Sequence, residues 1–107
     1  MSTQIPEPVA TFFDRVNAHD EGALDAFADD AVVDDWGREF LGREEIAAWS
    51  AEEFIGSRGV LAVERVEHAP DGIRVVGDWR SDHANGPSAF TFAVEGGAIT
   101  RMTIREG

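Results

Sequence analysis

The stretch Ile73-Arg74-Val75-Val76-Gly77-Asp78-Trp79-Arg80 decides the fold class of this chain. Ile73, Val75, Gly77 and Trp79 alternate with Arg74, Val76, Asp78 and Arg80, so an extended backbone carries one apolar face and one mostly charged face. That is a half-buried β-strand. The alternation recurs downstream, with Phe90, Phe92 and Val94 set against Ala89, Thr91 and Ala93, and with Thr100, Met102 and Ile104 set against Arg101, Thr103 and Arg105. Residues 60–67 read as one more strand. Ala69-Pro70-Asp71-Gly72, Asn85-Gly86-Pro87 and Glu95-Gly96-Gly97 supply the turns between them. The second half is thus an antiparallel meander of four strands.

Upstream of about Gly56 the apolar spacing changes to that of helices. Val9, Phe12, Phe13 and Val16 fall at i, i+3, i+4 and i+7, one stripe of an amphipathic helix entered through Pro6 and Pro8. His19-Asp20-Glu21 offers an N-cap and an acidic first turn for a short second helix carrying Leu24 and Phe27. Asp29-Asp30 ends it, and Ala31-Val32-Val33-Asp34-Asp35 predicts a short strand. Gly37 and Gly42 bracket a turn, and a third helix over residues 43–55 presents Ile46, Trp49 and Phe54. Two helices, a strand, a helix and then four strands make an α+β protein, with helices packed on one face of a curved antiparallel sheet. Residues 1–107 are read as one domain.

Composition narrows the function classes. The formal net charge is −12, from nine basic residues, all of them Arg, against 21 acidic ones. Residues 1–57 hold three of those arginines against 14 acids, so a phosphate backbone or an anionic membrane surface would be repelled. Nucleic acid and membrane are therefore not expected partners. The absence of cysteine removes disulfides, thiolate nucleophiles and Cys-based metal sites. His19, His68 and His83 are not clustered with carboxylates at ligand spacing, so neither a metal nor any other cofactor is expected. Ser81-Asp82-His83 is no catalytic triad, because sequence neighbours cannot form the linear relay. No apolar run approaches the ~18 residues of a membrane span, and the expected setting is the cytoplasm.

Three segments carry a family resemblance: Phe12-Phe13-Asp14-Arg15-Val16-Asn17-Ala18-His19-Asp20, then Ala26-Phe27-Ala28-Asp29-Asp30-Ala31-Val32-Val33-Asp34-Asp35, then Gly42-Arg43-Glu44-Glu45-Ile46. Together with the meander they resemble the nuclear-transport-factor-2-like superfamily, which includes SnoaL-like polyketide cyclases and ketosteroid isomerases. The resemblance implies a cone, a cystatin-like α+β barrel: a curved antiparallel sheet whose concave face is covered by the three N-terminal helices, leaving an apolar cavity. On that geometry Phe90, Phe92, Val94, Met102, Ile104, Val75, Gly77 and Trp79 point inward, as do Val33 and Asp35. Phe12, Trp36, Trp49 and Phe54 complete the expected lining, with Gly77 leaving space on the wall. Asp34, on the other parity, is expected to face solvent.

Asp35 aligns with the general base of ketosteroid isomerases, a carboxylate in an apolar wall that moves a proton between carbons. The family's oxyanion donors, a Tyr on the first helix and a protonated Asp on the penultimate strand, fall here on Phe12 and Phe90, and the chain has no Tyr. Steroid isomerisation in that manner is not expected. His83 follows Trp79 and Ser81 at even spacing; the resemblance to dehydratases and cyclases of the superfamily, which use a His with an Asp, pairs it with Asp35, and Asp82 or Asp34 is the alternative group to orient its imidazole. Asp78 and Arg80 read as a surface or interface ion pair on the convex side. The expectation is a small pocket protein that binds an apolar small molecule, with Asp35 and His83 as acid/base groups of a cofactor-free isomerase, dehydratase or cyclase. The alternative is a non-catalytic ligand-binding or dimerisation module. The resemblance also implies a homodimer through the convex sheet face, where arginines alternate with small residues.

Overall fold

The structure is a computed structural model that describes residues 4–69 and 72–107. The turn expected around Pro70 and Asp71 lies outside the described residues. Helix α1 (Val9–Asn17) buries the whole Val9, Phe12, Phe13, Val16 stripe. Asn17 fastens its end to the sheet: the side-chain amide donates to Leu61 O at 3.1 Å and accepts from Leu61 N at 2.8 Å, copying a strand's hydrogen bonds. The second helix is a six-residue 3-10 helix, Glu21–Ala26, capped by the Asp20 carboxylate on Gly22 N at 2.8 Å. Phe27 is not part of it. Phe27 opens strand β1, which runs from Phe27–Asp35 and is longer than the predicted 31–35. The strand signal is obscured by Asp29 and Asp30, which are exposed and sit where the pairing register with the neighbouring strand shifts.

Between Gly37 and Gly42, where a turn was expected, lies strand β2 (Arg38–Leu41). It is joined to β1 by a two-residue hairpin turn, Trp36-Gly37, with φ of 55° and 92°. Helix α2 (Gly42–Glu53) follows, buries Ile46, Trp49 and Ser50, and ends at Phe54. Arg43 anchors its first turn by donating to the Phe27 carbonyl at 2.7 Å and the Asp25 carbonyl at 3.2 Å. Strands β3 (Val60–Ala69), β4 (Gly72–Arg80), β5 (Gly86–Glu95) and β6 (Ala98–Glu106) form the expected meander.

The six strands make one curved, unclosed sheet in the order β2-β1-β6-β5-β4-β3. Four pairings are antiparallel; the β1–β6 pairing is parallel, because β1 enters the sheet beside the last strand of the meander. The concave face carries Val33, Val75, Trp79, Phe90, Phe92, Met102 and Ile104, all buried. At the closed end Phe12 meets Phe13, Phe27 and Phe92 at centroid distances of 5.2, 5.4 and 5.8 Å in edge-to-face contacts. Fully burying each such ring contributes about 1.5–3 kcal/mol.

Two expectations about the sheet need correction. Gly77 leaves no space for a ligand: a Cβ there would stand 2.3 Å from the Ala62 carbonyl oxygen, so the glycine lets the bulged β3 backbone approach. Asp34 lies on the convex parity but is only 8% exposed. Arg105 and Arg101, from the neighbouring β6, fold over it. The Asp78–Arg80 pair is on the surface at 2.7 Å. Among the described residues, no helix is long and apolar enough to cross a membrane.

Candidate functional site

The open end of the cone holds a cavity of about 210 Å³, lined by side chains from every layer of the fold. Strand β1 contributes Asp35, the hairpin turn Trp36, β2 Arg38, and α2 Trp49 and Glu53, with Phe54 just beyond the helix. Trp79 comes from β4, Phe90 from β5 and Ile104 from β6. The β4–β5 connection closes the far side with His83, Ala84 and Asn85. All three tryptophans of the chain border this space.

The apolar wall is a run of stacked rings. Phe40 lies on Trp49 at 5.8 Å, Trp49 on Phe54 at 4.9 Å, and Phe54 on Trp79 at 4.9 Å and 11° between planes. Gly59 makes the last of these possible, since a Cβ there would fall 2.0 Å from Cζ2 of Trp79.

A charged cluster adjoins the rings at Phe40 and Trp49. Asp35 is partly covered, with a side chain 15% exposed, and its Oδ2 accepts two hydrogen bonds, from Arg38 Nη2 at 2.7 Å and from Trp49 Nε1 at 3.1 Å. Its Oδ1 takes none among the described residues. Strand register brings Arg38 there, because Arg38 is the cross-strand partner of Asp35 in the hairpin. Arg38 also grips Glu53, with Nη1 on Oε2 at 3.2 Å and Nη2 on Oε1. His83 Nε2 lies 3.2 Å from that same Oε1. The bidentate Arg38 bonds, then the charges of Arg38 and His83, hold the Glu53 carboxyl below the usual carboxylate range despite partial burial. The two carboxylates and their hydrogen bonds in turn keep Arg38 protonated.

His83 lies beyond β4, in a loop whose shape is set by hydrogen bonds of its own residues. The Ser81 hydroxyl accepts from His83 N and Ala84 N at 3.1 and 2.9 Å and donates to the Ala84 carbonyl at 2.8 Å. Asp82 N donates to the Ser57 carbonyl at 2.8 Å, and the Asp82 carboxylate pairs with Arg58 at 2.9 Å. The loop is thereby moored to the turn that follows α2, which sets His83 beside Glu53.

Asp35, His83, Trp36, Trp49, Phe54, Trp79, Phe90 and Ile104 therefore meet at one cavity. Phe12, Phe92 and Met102 do not reach it. They are fully buried at the closed end, where α1 packs down onto the sheet; Phe12 borders instead a separate surface pocket between α1 and the 3-10 helix. Neither Asp82 nor Asp34 touches His83; Glu53 does. Arg38 and Glu53 were missed in the sequence. The X-Gly pair at Trp36-Gly37 signals a two-residue hairpin that sets Arg38 opposite Asp35, and Glu53 shares a helix face with Trp49 four residues earlier. Among the described residues, no group of three or more His, Asp or Glu is gathered to hold a metal ion.

A six-stranded curved sheet with α1 and α2 over its concave face, and a cavity at the open end, is the nuclear-transport-factor-2-like cone. The chain belongs to the SnoaL-like domain family, which matches residues 9–107. Among solved structures it is similar to a nuclear-transport-factor-2-like protein of unknown function from Cytophaga hutchinsonii, at 15% identity and TM-score 0.80 over 98% of this chain and 93% of that one. It is also similar to RV0760c from Mycobacterium tuberculosis in complex with estradiol-17beta-hemisuccinate, at 26% identity and TM-score 0.79 over 97% and 95% of the two chains. The Delta 5-3-ketosteroid isomerase from Mycobacterium sp. matches at 21% identity and TM-score 0.77 over 92% and 89%. No curated protein matches the chain significantly.

Proposed function

We propose that the cavity binds the apolar ring portion of a small molecule and that Asp35 exchanges a proton with it, assisted by His83. One observation carries this reading: Asp35 and His83 border the same cavity as Phe54, Trp79 and Phe90. Arg38 and Trp49 occupy Oδ2 of Asp35, which fixes the carboxylate and leaves Oδ1 to meet a ligand hydrogen. His83 stands across the mouth on Glu53, placed to relay a proton to or from a ligand oxygen. Proton transfer of this kind calls for no cofactor. The reading is supported by the relative that binds estradiol-17beta-hemisuccinate, a ligand with the flat apolar rings that such a wall accepts.

A second reading, a binding module without chemistry, is favoured by one specific feature. The positions that supply oxyanion donors in ketosteroid isomerases are Phe12, sealed in the core, and Phe90, an apolar wall residue. The test is exchange of the α-hydrogens of cyclohexanone in D2O, followed by NMR. Exchange above background that is lost in Asp35→Asn supports the enzyme. Saturable binding with exchange equal to that of Asp35→Asn supports the module.

The convex face of the sheet, in this proposal, pairs with a second copy of the chain. Val76 and Ala89 are cross-strand partners on that face, surrounded by Arg74, Thr91, Thr103 and Arg105. Arginine among small residues suits a protein interface.

A further inference from the structure

Asn85-Gly86 breaks the chain between β4 and β5, and the structure gives this pair a chemistry of its own. Asn85 is an exposed residue on the rim of the cavity, and Gly86 opens strand β5. Gly86 holds φ of +138°, a backbone region that residues with a side chain rarely enter, so the strand start demands glycine. No atom lies within 4 Å of the place where its Cβ would stand; the angle, not crowding, makes the demand. The fold therefore imposes on Asn85 the one successor that leaves its side-chain amide open to attack by the next backbone nitrogen.

Two further features favour that attack. Ser81 N donates to Asn85 Oδ1 at 3.0 Å. This bond polarises the amide carbonyl and is placed to carry the charge that builds on Oδ1 when a nucleophile adds at Cγ. The Gly86 nitrogen belongs to the last pair of the β4–β5 ladder, Trp79 with Gly86, where strand ends fray first. Asn17, the other asparagine of the chain, is the opposite case. It ends α1, its amide is fixed on both polar groups of Leu61, and its successor Ala18 carries a side chain.

We infer that Asn85 is a self-modification site, an asparagine that deamidates in the folded protein and thereby rebuilds the cavity rim. The Gly86 nitrogen bonds to Cγ of Asn85, the Cγ–Nδ2 bond breaks, and Nδ2 leaves as ammonia with the Gly86 proton. Water then opens the cyclic imide. Opening at Cγ gives aspartate; opening at the backbone carbonyl gives isoaspartate, with one more carbon in the main chain. Either product puts a carboxylate where the amide stood, two residues from His83 and on the rim shared with Asp35 and Glu53. Isoaspartate also displaces the acceptor of Ser81 N, so the loop that sets His83 on Glu53 loosens. The inference stands whatever the cavity binds.

The test is incubation of the intact chain at mildly alkaline pH followed by peptide mass mapping, with the free peptide of residues 81–88 as reference. The expected result is a gain of one dalton on the segment that holds Asn85, at a rate within about tenfold of the free peptide, while Asn17 stays intact. Asn85→Gln, whose longer side chain does not close the five-membered ring, gains no mass there. The modified fraction, separated by ion exchange on its extra charge, shows moved His83 ring signals in a carbon–proton spectrum. Deamidation of the folded chain more than about tenfold slower than that of the peptide means that the fold protects Asn85, and overturns the inference. Equal deamidation at Asn17 overturns it too, since the site then has no selectivity. Unmoved His83 signals in the modified fraction overturn the claim that the modification rebuilds the rim.

Discussion

Arg105 clasps Asp34 from the next strand, with Nη1 on Oδ1 at 2.9 Å and Nη2 on Oδ2 at 3.1 Å. The clasp spans β1 and β6, the parallel seam of the sheet, on the face opposite the cavity. The hydrogen bonds from Arg105 outweigh the burial of Asp34 and hold its carboxyl below the usual carboxylate range. A folded-state pKa below the unfolded value means stability that is present above the unfolded pKa, near 3.9, and lost as pH falls through the folded one. Asp34→Asn should therefore lower stability at pH 7 by about 1 kcal/mol, a value kept small because Arg105 is half exposed. Urea unfolding should show the two proteins converging between about pH 5 and pH 2. Equal stability at neutral pH would remove the clasp as a stabilising feature.

Glu53 has the same sign. Its carboxyl is held low first by Arg38 and then by His83, so its contribution is complete at neutral pH and fades in acid. Glu53→Gln should cost about 1 kcal/mol at pH 7. It should also move the His83 ring signals in a carbon–proton spectrum, because the Nε2 partner at 3.2 Å is replaced by a neutral amide. Unmoved ring signals would mean that the contact is absent in solution.

Gly59→Ala tests the ring stack without touching the charged cluster. A Cβ 2.0 Å from Trp79 Cζ2 forces the indole off Phe54. The expected loss is about 1–3 kcal/mol, seen as a lower melting temperature together with a shifted Trp79 indole signal. A variant as stable as the parent, with that signal unmoved, would show that the stack yields freely.

The assembly prediction is the simplest to check. A homodimer through the convex face should give twice the chain mass of 11.6 kDa in light scattering at tens of micromolar. A monomer mass under those conditions would end the proposal of a convex-face dimer.

Much of this fold was legible in the residue order because periodicity reports which face a side chain takes. The two-residue alternation put Trp79, Phe90 and Ile104 on the concave side and Asp78 and Arg80 on the convex side, as the sheet has them. The helical spacing of Val9, Phe12, Phe13 and Val16 likewise gave the buried stripe of α1. Strand β2 escaped because four residues at a sheet edge, two of them charged, carry too short a pattern.

Height along the cone is a different quantity from face. Phe90 and Phe92 share one parity, yet Phe90 borders the cavity and Phe92 is sealed under α1, because only the docking of the helix decides where the open volume begins. The charged cluster has the same origin. Asp35, Arg38, Glu53 and His83 come from two paired strands, a helix and a loop, and no local period relates them. Hairpin register brings Arg38 to Asp35, and the mooring of the 81–85 loop to Ser57 brings His83 to Glu53. Residue order alone determined the elements and their faces, which depend on neighbours a few positions apart. The cavity and its chemistry depend on long-range packing, and only the tertiary structure decided them.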